Sequence, residues 1–248
     1  MIRKFFHPLL LPLCVFALAA CKPPGKPDPA DAWIPPSKIA DFMTLYVQSC
    51  AACHSIEPDV LAAAQPMNNP LYIQWAGRQH IHKVTAEGIP GTMMPVFLNK
   101  LGGELTKEQV DSVVDGIMKF ADGAPPPPAD LPAYAVGPGD VARGAEIARL
   151  ACASCHGPDG AGGTGSTAAG SIVDPAYLGL VSNQSLKTAV VVGRTDLGMP
   201  DYRSVLQGRP LTNQDIDDLV AWMASHRINP AAPADAPPAS NNPQPASP

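Results

Sequence analysis

The chain has 248 residues, of which 46% are apolar but only 6% aromatic, and it carries a formal net charge of −5 at pH 7. This length allows one large domain or two small ones, and an acidic chain is not expected to bind nucleic acid. The sequence also contains 30 Pro and six Cys, and these two residue types mark its organisation.

The N-terminus has the pattern of an export signal. Basic residues at positions 3 and 4 precede an apolar run from 9 to 20 that is too short to span a bilayer comfortably. We therefore predict a signal peptide at residues 1–20. The tetrapeptide that ends at Cys21, LAAC, resembles the cleavage site of bacterial lipoproteins, in which the cysteine becomes the acylated first residue. The alternative is ordinary signal cleavage after Ala19, which would leave Cys21 as an unused thiol.

Residues 21–38 are predicted to tether the first domain to the membrane. Six of the 15 residues from Lys22 to Pro36 are proline, and an extended segment of this kind reaches roughly 45 Å at about 3.1 Å per residue. Loss of Arg3 and Lys4 with the signal leaves 15 basic against 22 acidic residues, a net charge of −7. These features predict a lipid-anchored protein on the periplasmic side of a bacterial membrane.

Two copies of the pattern Cys-x-x-Cys-His, at 50–54 and 152–156, are highly specific. A redox dithiol or half of a zinc site would also use two close cysteines. Neither explains why His follows the second Cys directly in both copies, and no βαβ pattern surrounds them. The pattern is typical of covalent attachment of c-type haem, with two thioether bonds and the imidazole as proximal iron ligand. We predict two haem c groups, attached through Cys50, Cys53, Cys152 and Cys155 and ligated by His54 and His156.

Three helices are predicted in the first domain, residues 39–122. One leads into the first motif, with Ser37 as its N-cap, and a second spans about 71–87. The third opens with the capping box Thr106-x-x-Gln109 and carries an apolar stripe at helical spacing.

A Pro-rich linker at residues 123–137 is predicted to act as a stiff spacer, so the two haem sites are expected to be independent. The second domain, residues 138–228, repeats the first. Its helices are predicted to begin at Asp140, to run from Pro175 to Val192, and to open at Thr212-x-x-Asp215. The acidic residues of the last helix, Asp215, Asp217 and Asp218, are expected to be solvated at its positive end. Residues 229–248 are predicted to be disordered.

The two halves align element by element, and this alignment selects two methionines. A haem iron in an electron carrier needs a sixth ligand, and a Met thioether raises the reduction potential. Met94 and Met199 each lie six residues after a glycine and directly before a proline. The alignment therefore predicts these two as sixth ligands and assigns Met93, one residue out of register, to packing.

Each half resembles a small class I cytochrome c domain. The resemblance rests on the helix leading into Cys-x-x-Cys-His, the Met before Pro, and the C-terminal helix, and it covers about 39–122 and 138–228. It implies an all-α fold of two tandem small domains, whose first and last helices cross beside each haem. It also implies that His54 and Met94 ligate one iron, and His156 and Met199 the other.

Several other residues allow two interpretations. His80 and His82 are expected at the surface, although a bis-His iron would use such residues. Four side chains could bind the haem propionates or serve in packing: Tyr72, Trp75, Tyr177 and Arg194. Members of the family often orient the proximal His with the carbonyl of a proline; Pro58, Pro66 and Pro158 match this pattern loosely, so that role stays open.

The resemblance implies one-electron transfer, because two six-coordinate irons leave no position for a substrate. The predicted protein is a membrane-tethered periplasmic dihaem cytochrome c that works between respiratory or photosynthetic redox partners. It would act as a mobile arm or as a subunit of a quinol-oxidising complex, a terminal oxidase or a reaction centre. The alternative is an enzyme of the dihaem peroxidase or thiosulfate-oxidising type, which needs one iron with a labile or unusual ligand.

Overall fold

The computed structural model describes most of the chain beyond the N-terminal segment. The described residues are Asp28, 32–57, 60–164 and 169–228. The predicted signal peptide, Cys21 and the predicted disordered tail at 229–248 lie outside them. Contacts divide the chain after Lys38 into two compact units. A short 3₁₀ helix at Pro36–Lys38 belongs to the first unit, and both motif-bearing halves belong to the second.

The fold is all-α, as the sequence predicts: the described part of the chain has eight α-helices and isolated β-bridges but no strand. The helices are α1 (Phe42–Ser49), α2 (Pro70–Glu87), α3 (Lys107–Lys119), α4 (Val141–Ala151), α5 (Ala153–His156), α6 (Pro175–Leu178), α7 (Asn183–Val192) and α8 (Asn213–Ala224). Helices α1–α3 form the first half, and α4–α8 form the second. Each Cys-x-x-Cys-His motif follows directly on the first helix of its half.

Local capping signals locate the helix starts, and three of the predicted starts are confirmed. Thr106 accepts a hydrogen bond from the Gln109 N–H while the Gln109 side chain accepts one from the Thr106 N–H. Thr212 and Asp215 repeat this capping box at α8, and Asp140 caps α4. Such bonds satisfy backbone donors that a helix start leaves unpaired.

The start of α1 differs from the prediction. Its N-cap is Asp41, whose carboxylate accepts a hydrogen bond of 2.7 Å from the Thr44 N–H. Ser37 lies instead in the 3₁₀ helix that precedes the second unit. Both residue types are good N-caps, so residue type alone could not separate them.

The first and last helices of each half pack closely at a glycine. In the first half, a Cβ on Gly116 of α3 would overlap the ring of Phe42 on α1. In the second half, a Cβ on Gly144 of α4 would overlap the backbone carbonyl of Asp218 on α8. Both halves therefore have the same close approach between their first and last helices. The glycine lies on the last helix in the first half and on the first helix in the second half.

The middle helix of each half is interrupted at the same aligned position. In α2, Gly77 has φ 73° and ψ 157°, which breaks the helical backbone. In the second half α6 ends at Leu178 and Ser182 caps α7, accepting from the Ser185 N–H at 3.1 Å. The single helix predicted from Pro175 to Val192 is therefore wrong, because the Ser182 cap starts a new helix there.

The linker between the halves is folded against both of them. The Tyr134 ring lies 4.6 Å from the rings of Trp75 and His80, measured between centroids, and its carbonyl accepts from the Gln184 side chain at 2.9 Å. The Trp75 indole N–H donates to the Pro132 carbonyl at 2.6 Å. A spacer that kept the halves independent would make no such contacts, so the expectation of independent halves is corrected.

The acidic residues of α8 are buried, contrary to the expected solvation. Asp215, Asp217 and Asp218 are at most 2% exposed. Arg143 and Arg209 bind the Asp215 carboxylate at 2.8 and 2.6 Å. Burial alone would raise the pKa of Asp215, but hydrogen bonds from Arg209, the Thr212 backbone and Arg143 outweigh it and hold that pKa well below its usual range.

Lys187 of α7 is fully buried and supplies the cation for Asp217. Its Nζ donates to Asp217 at 2.8 Å, to the Asn213 side chain at 3.0 Å and to the Ala135 carbonyl of the linker at 2.7 Å. An ammonium group has three N–H donors, so all three are used. This one side chain joins α7, α8 and the linker.

The two histidines of α2 have different surroundings. His82 is half-buried and pairs with Asp111 at 2.9 Å. His80 was expected at the surface but is only 5% exposed, because the linker residue Tyr134 covers it. Burial and the nearby Lys83 lower the pKa of His80 to about 4, so it is neutral at physiological pH.

None of the helices in the described part of the chain combines the length and the apolar character that crossing a bilayer requires.

Candidate functional site

Both Cys-x-x-Cys-His motifs form one helical turn of the same geometry. In the first, the Cys53 and His54 N–H groups donate to the Cys50 carbonyl at 3.2 and 2.9 Å. In the second, the Cys155 and His156 N–H groups bond to the Cys152 carbonyl at the same two distances. A single turn presents both thiols and the imidazole from one short segment, as attachment to one planar group requires.

All four motif cysteines are unpaired and half-buried. Burial, together with the nearby Glu104, raises the pKa of Cys50 to about 11. Burial and the neighbouring Cys155 raise the pKa of Cys152 to about 11. These positions disfavour a charged thiolate but accept a neutral thioether at lower cost.

A backbone carbonyl orients each motif imidazole. His54 Nδ1 lies 2.7 Å from the Gln65 carbonyl oxygen, and His156 Nδ1 lies 2.7 Å from that of Gly170. A carbonyl oxygen only accepts hydrogen bonds, so each Nδ1 is the donor. In the neutral ring the lone pair on Nε2 is then available to bind a metal. This is the arrangement by which an outer hydrogen bond fixes the tautomer and ring orientation of a metal-binding histidine.

The orienting carbonyls belong to Gln65 and Gly170 and not to Pro66 or Pro158, and the third candidate, Pro58, lies outside the described residues. Gln65 directly precedes Pro66, whereas Gly170 has no proline beside it. A second pair of hydrogen bonds holds the two loops: the Ala64 N–H donates to the Cys53 carbonyl and the Ala169 N–H to the Cys155 carbonyl, both at 2.9 Å. The loops differ in length, yet each returns its carbonyl to the same place.

The carbonyl of each motif histidine has a different donor in the two halves. The buried Tyr46 hydroxyl donates to the His54 carbonyl, and in the second half the Gly162 N–H donates to the His156 carbonyl at 2.8 Å. A Cβ on Gly157 would lie 2.5 Å from the Gly162 carbonyl oxygen. In the second half a backbone N–H of the glycine-rich residues 157–163 thus takes the place of the tyrosine hydroxyl. The sequence did not reveal either donor, because Tyr46 has the pattern of an ordinary core residue and the Gly162 donor belongs to the backbone.

The environment of His54 favours its neutral form. Burial lowers its pKa, the Gln65 hydrogen bond opposes that shift, and the charge of Arg194 lowers the pKa further. A neutral imidazole is the form that binds iron. Arg194 belongs to the second half of the chain, so the second half contributes to the electrostatics of the first site.

The two predicted methionine ligands occupy equivalent turns. The Ile89 N–H donates to the Met94 carbonyl at 3.0 Å, and the Arg194 N–H donates to the Met199 carbonyl at 3.1 Å. Both methionines are half-buried, whereas Met93 is 63% exposed. The alignment of the halves therefore holds in three dimensions, and ligation by these sulphurs stays a prediction.

A glycine precedes each methionine turn for a steric reason. Gly88 and Gly193 end α2 and α7 with φ of 68° and 75°, a region that favours glycine. A Cβ at either position would lie 2.7 Å from backbone atoms of the turn, from Pro95 in one half and from Met199 in the other. The close approach fixes each turn against its helix.

The four candidate propionate ligands have other partners or remain exposed. The Trp75 indole N–H donates to the Pro132 carbonyl in the linker, and Tyr72 packs against the cores of both halves. Arg194 binds Asp196 and the Ala62 carbonyl. Tyr177 is 41% exposed. Trp75 and Tyr72 therefore have the packing role that was one of their two interpretations.

The donor set fits a c-type haem better than a bare metal ion. Structural zinc takes four converging ligands, and in the described part of the chain no group of three or more His, Cys, Asp and Glu side chains is arranged to hold a metal. Each half offers two unpaired cysteines in one turn and an imidazole with a free Nε2. In the first half the Gln65 side-chain oxygen is also buried without a hydrogen-bond partner in the described residues.

The comparison with protein families agrees with this donor set for the second half. The family model described as "Cytochrome c" matches residues 141–227. A solved structure, the Kuenenia stuttgartiensis reducing HAO-like protein complex Kustc0457/Kustc0458, is similar to 79% of this chain and 100% of that one, with 18% identity and a TM-score of 0.41. No curated protein sequence matches the chain. Residues 141–227 therefore form a cytochrome c domain, a type that binds haem c covalently and transfers electrons.

Proposed function

We propose that the whole chain is a dihaem electron-transfer protein in which the first half carries a second haem c. The observation that carries this proposal is the repeated imidazole geometry. His54 and His156 each place Nδ1 2.7 Å from a backbone carbonyl of a returning loop. The two loops differ in length, so the shared orientation of the two imidazoles indicates that both rings serve the same function.

In this proposal each residue of a site has one role. The cysteines would hold the group covalently, and the imidazole Nε2 and the Met thioether of the glycine-bounded turn would ligate its iron. The haem would supply reversible one-electron chemistry, and the chain would set its potential through the ligand residues and burial. The equivalent turns at Met94 and Met199 support two filled sixth positions.

Two filled sixth positions favour a carrier over an enzyme. A dihaem peroxidase or thiosulfate-oxidising enzyme needs one iron with a labile or unusual ligand. The two halves instead have matching methionine turns and matching imidazole geometry. The protein therefore passes single electrons between redox protein partners, as a mobile arm or as a subunit of a larger oxidoreductase complex.

The cellular setting follows from the N-terminal pattern. The LAAC tetrapeptide at Cys21 supports a lipid anchor, and the Pro-rich residues 21–38 support a tether on the periplasmic side of a bacterial membrane. Candidate partners are a quinol-oxidising complex, a terminal oxidase or a reaction centre.

The carrier function predicts a specific redox behaviour. Because both irons are six-coordinate, a reductive titration is expected to take up two electrons per chain, and the reduced protein is expected to bind carbon monoxide poorly. Hydrogen peroxide supplied with a reduced electron donor is expected to give no turnover. A high-spin iron in the untreated protein, or sustained peroxide reduction, would instead support the enzymatic alternative.

The lipid anchor predicts a separate result for Cys21→Ala. We expect this variant to incorporate haem normally but to leave the membrane fraction, because the lipoprotein modification supplies the acyl chains that hold the protein there. Membrane and soluble fractions separated in high salt would show it. Retention of the variant in the membrane fraction would mean that another segment or a partner provides the attachment.

A further inference from the structure

The two haem sites are joined by a contact between the halves. Arg194 Nη2 donates to the Ala62 carbonyl at 2.6 Å, across 132 residues of sequence. Arg194 follows α7 in the second half, and Ala62 lies in the loop after the first Cys-x-x-Cys-His motif. Both residues are largely buried, with 14% of the Arg194 side chain and 7% of Ala62 exposed.

The backbone of Arg194 belongs to the methionine turn of the second site. Its N–H donates to the Met199 carbonyl at 3.1 Å, and its carbonyl accepts from the Met199 N–H at 2.9 Å. This pair of bonds is an isolated antiparallel bridge. Any displacement of the Met199 turn therefore moves the Arg194 backbone with it.

The other end of the contact belongs to the proximal loop of the first site. Two residues after Ala62, the Ala64 N–H bonds to the Cys53 carbonyl at 2.9 Å. The next residue, Gln65, accepts the His54 Nδ1 hydrogen at 2.7 Å. The Arg194 guanidinium thus ends on the short segment that anchors the first motif and orients its imidazole.

The geometry of the contact depends on the arginine fork. Nε and Nη2 bind the two Asp196 oxygens at 2.9 and 2.7 Å, and Nη2 also reaches Ala62. A planar guanidinium can hold a carboxylate through two parallel bonds and still offer a further N–H, whereas an ammonium group is a single point of charge. Asp196 therefore fixes the direction in which Arg194 reaches the first half.

The remaining contacts between the halves do not join the two sites in this way. The Met93 N–H reaches the Leu180 carbonyl at a longer 3.4 Å. Tyr72 and Trp75 of α2 pack against the core of the second half, but they lie on the middle helix rather than on a motif loop or a methionine turn. Among the described contacts, the one from Arg194 to Ala62 connects a methionine turn to a motif loop.

We propose that Arg194 is a positioning residue that couples the two haem sites, so that a change at the Met199 turn alters the reduction potential of the first haem. This inference rests on the proposed function. A positive charge held beside the first site favours the reduced iron, which carries one positive charge fewer. When the Met199 turn is released, Arg194 withdraws from Ala62 and that potential falls.

The test combines Met199→Ala with changes at Arg194 in the haem-loaded full chain. Met199→Ala opens the second iron, so carbon monoxide identifies the second haem and the first haem is followed by potentiometric titration. We expect Met199→Ala to lower the equilibrium constant for one-electron reduction of the first haem by up to about tenfold. This corresponds to a fall of about 59 mV in the reduction potential of that haem. In Arg194→Gln that constant is already lowered, and adding Met199→Ala causes no further fall.

Two further variants separate this contact from charge and from general damage. Arg194→Lys keeps the charge but not the fork, and it is also expected to abolish the effect of Met199→Ala. Arg203 is the matched control, because its hydrogen bonds within the described residues all go to Asp201 in the same turn. Arg203→Gln is expected to leave the first potential, and its response to Met199→Ala, as in the unmodified protein.

An equal response to Met199→Ala in the Arg194→Gln and Arg203→Gln backgrounds would overturn the coupling role, as would no response in the unmodified background. Failure of the proposed function would give a different result: the protein would bind a single haem and show a single potential, and the coupling would be overturned with it. Where both haems are bound but the second iron stays low-spin in Met199→Ala, the single variants decide between the outcomes. A potential that moves in Arg194→Gln but not in Arg203→Gln supports the coupling, and equal potentials in both variants contradict it.

Discussion

Met94→Ala and Met199→Ala are each expected to open one iron to carbon monoxide, whereas Met93→Ala is expected to open neither. Each mutation removes the thioether that favours the reduced state, so the potential of the haem that loses its ligand falls. Optical spectra of the reduced protein, with and without carbon monoxide, would show one high-spin haem per ligand mutation. Potentiometric titration would show that the potential of the haem that loses its ligand falls furthest.

Met93→Ala is a sharp control because it changes the same residue type one position away. Met93 is 63% exposed while Met94 is half-buried in the turn bounded by Gly88. If Met93→Ala alone opened the first iron, the alignment of the two halves would be wrong by one residue. If none of the three mutations opened an iron, the sixth ligands would not be these methionines.

Lys187→Met is expected to destabilise the second half by about 3–5 kcal/mol, the usual cost of removing one partner of a buried ion pair. Lys187 and Asp217 have side chains 0% and 2% exposed. The mutation would leave the Asp217 carboxylate buried without its cation, and it would release the Ala135 carbonyl of the linker. Urea unfolding of the haem-loaded protein, followed by helical circular dichroism, would measure the loss.

Two control variants make this result specific. Lys119→Met removes a lysine from an exposed position at the end of α3, and its effect is expected to stay within about 0.5 kcal/mol. Adding Asp217→Leu to Lys187→Met is expected to restore much of the lost stability, because an apolar pair needs no charge compensation. A Lys187→Met protein as stable as the Lys119→Met protein would show that the buried pair contributes nothing.

Signals within a few residues of each other were predictable from the sequence. The capping boxes at Thr106 and Thr212 involve neighbours three positions apart, so the residues themselves carry the information. The cysteine motifs are likewise local. The register of the methionine turns needed more than local pattern, but the internal repeat supplied it by pairing Met199 with Met94.

Features that depend on distant partners were not predictable. The acidic start of α8 has the pattern of a solvated helix end, and nothing near it in sequence indicates that Lys187 and Arg143 meet it in the fold. The burial of His80 depends on Tyr134 in the linker, whose composition suggested only a spacer. Partners this far apart in sequence leave no local pattern.

The orienting carbonyls could not be predicted for a different reason. Gln65 and Gly170 act through backbone oxygens, which every residue possesses, so side-chain identity carries no signal. The contact from Arg194 to Ala62 is also to a backbone oxygen. The part of each site made by the backbone therefore became visible only in the structure.

The number of covalently bound haems per chain tests the central claim most directly. Intact mass of the purified protein after acid–acetone extraction, compared with the mass of the polypeptide alone, counts the groups that remain attached through thioether bonds. We predict two haem groups per chain, one on each Cys-x-x-Cys-His motif, and loss of one in Cys50→Ser/Cys53→Ser. A mass that corresponds to a single haem, or haem that the solvent removes, would contradict the dihaem assignment.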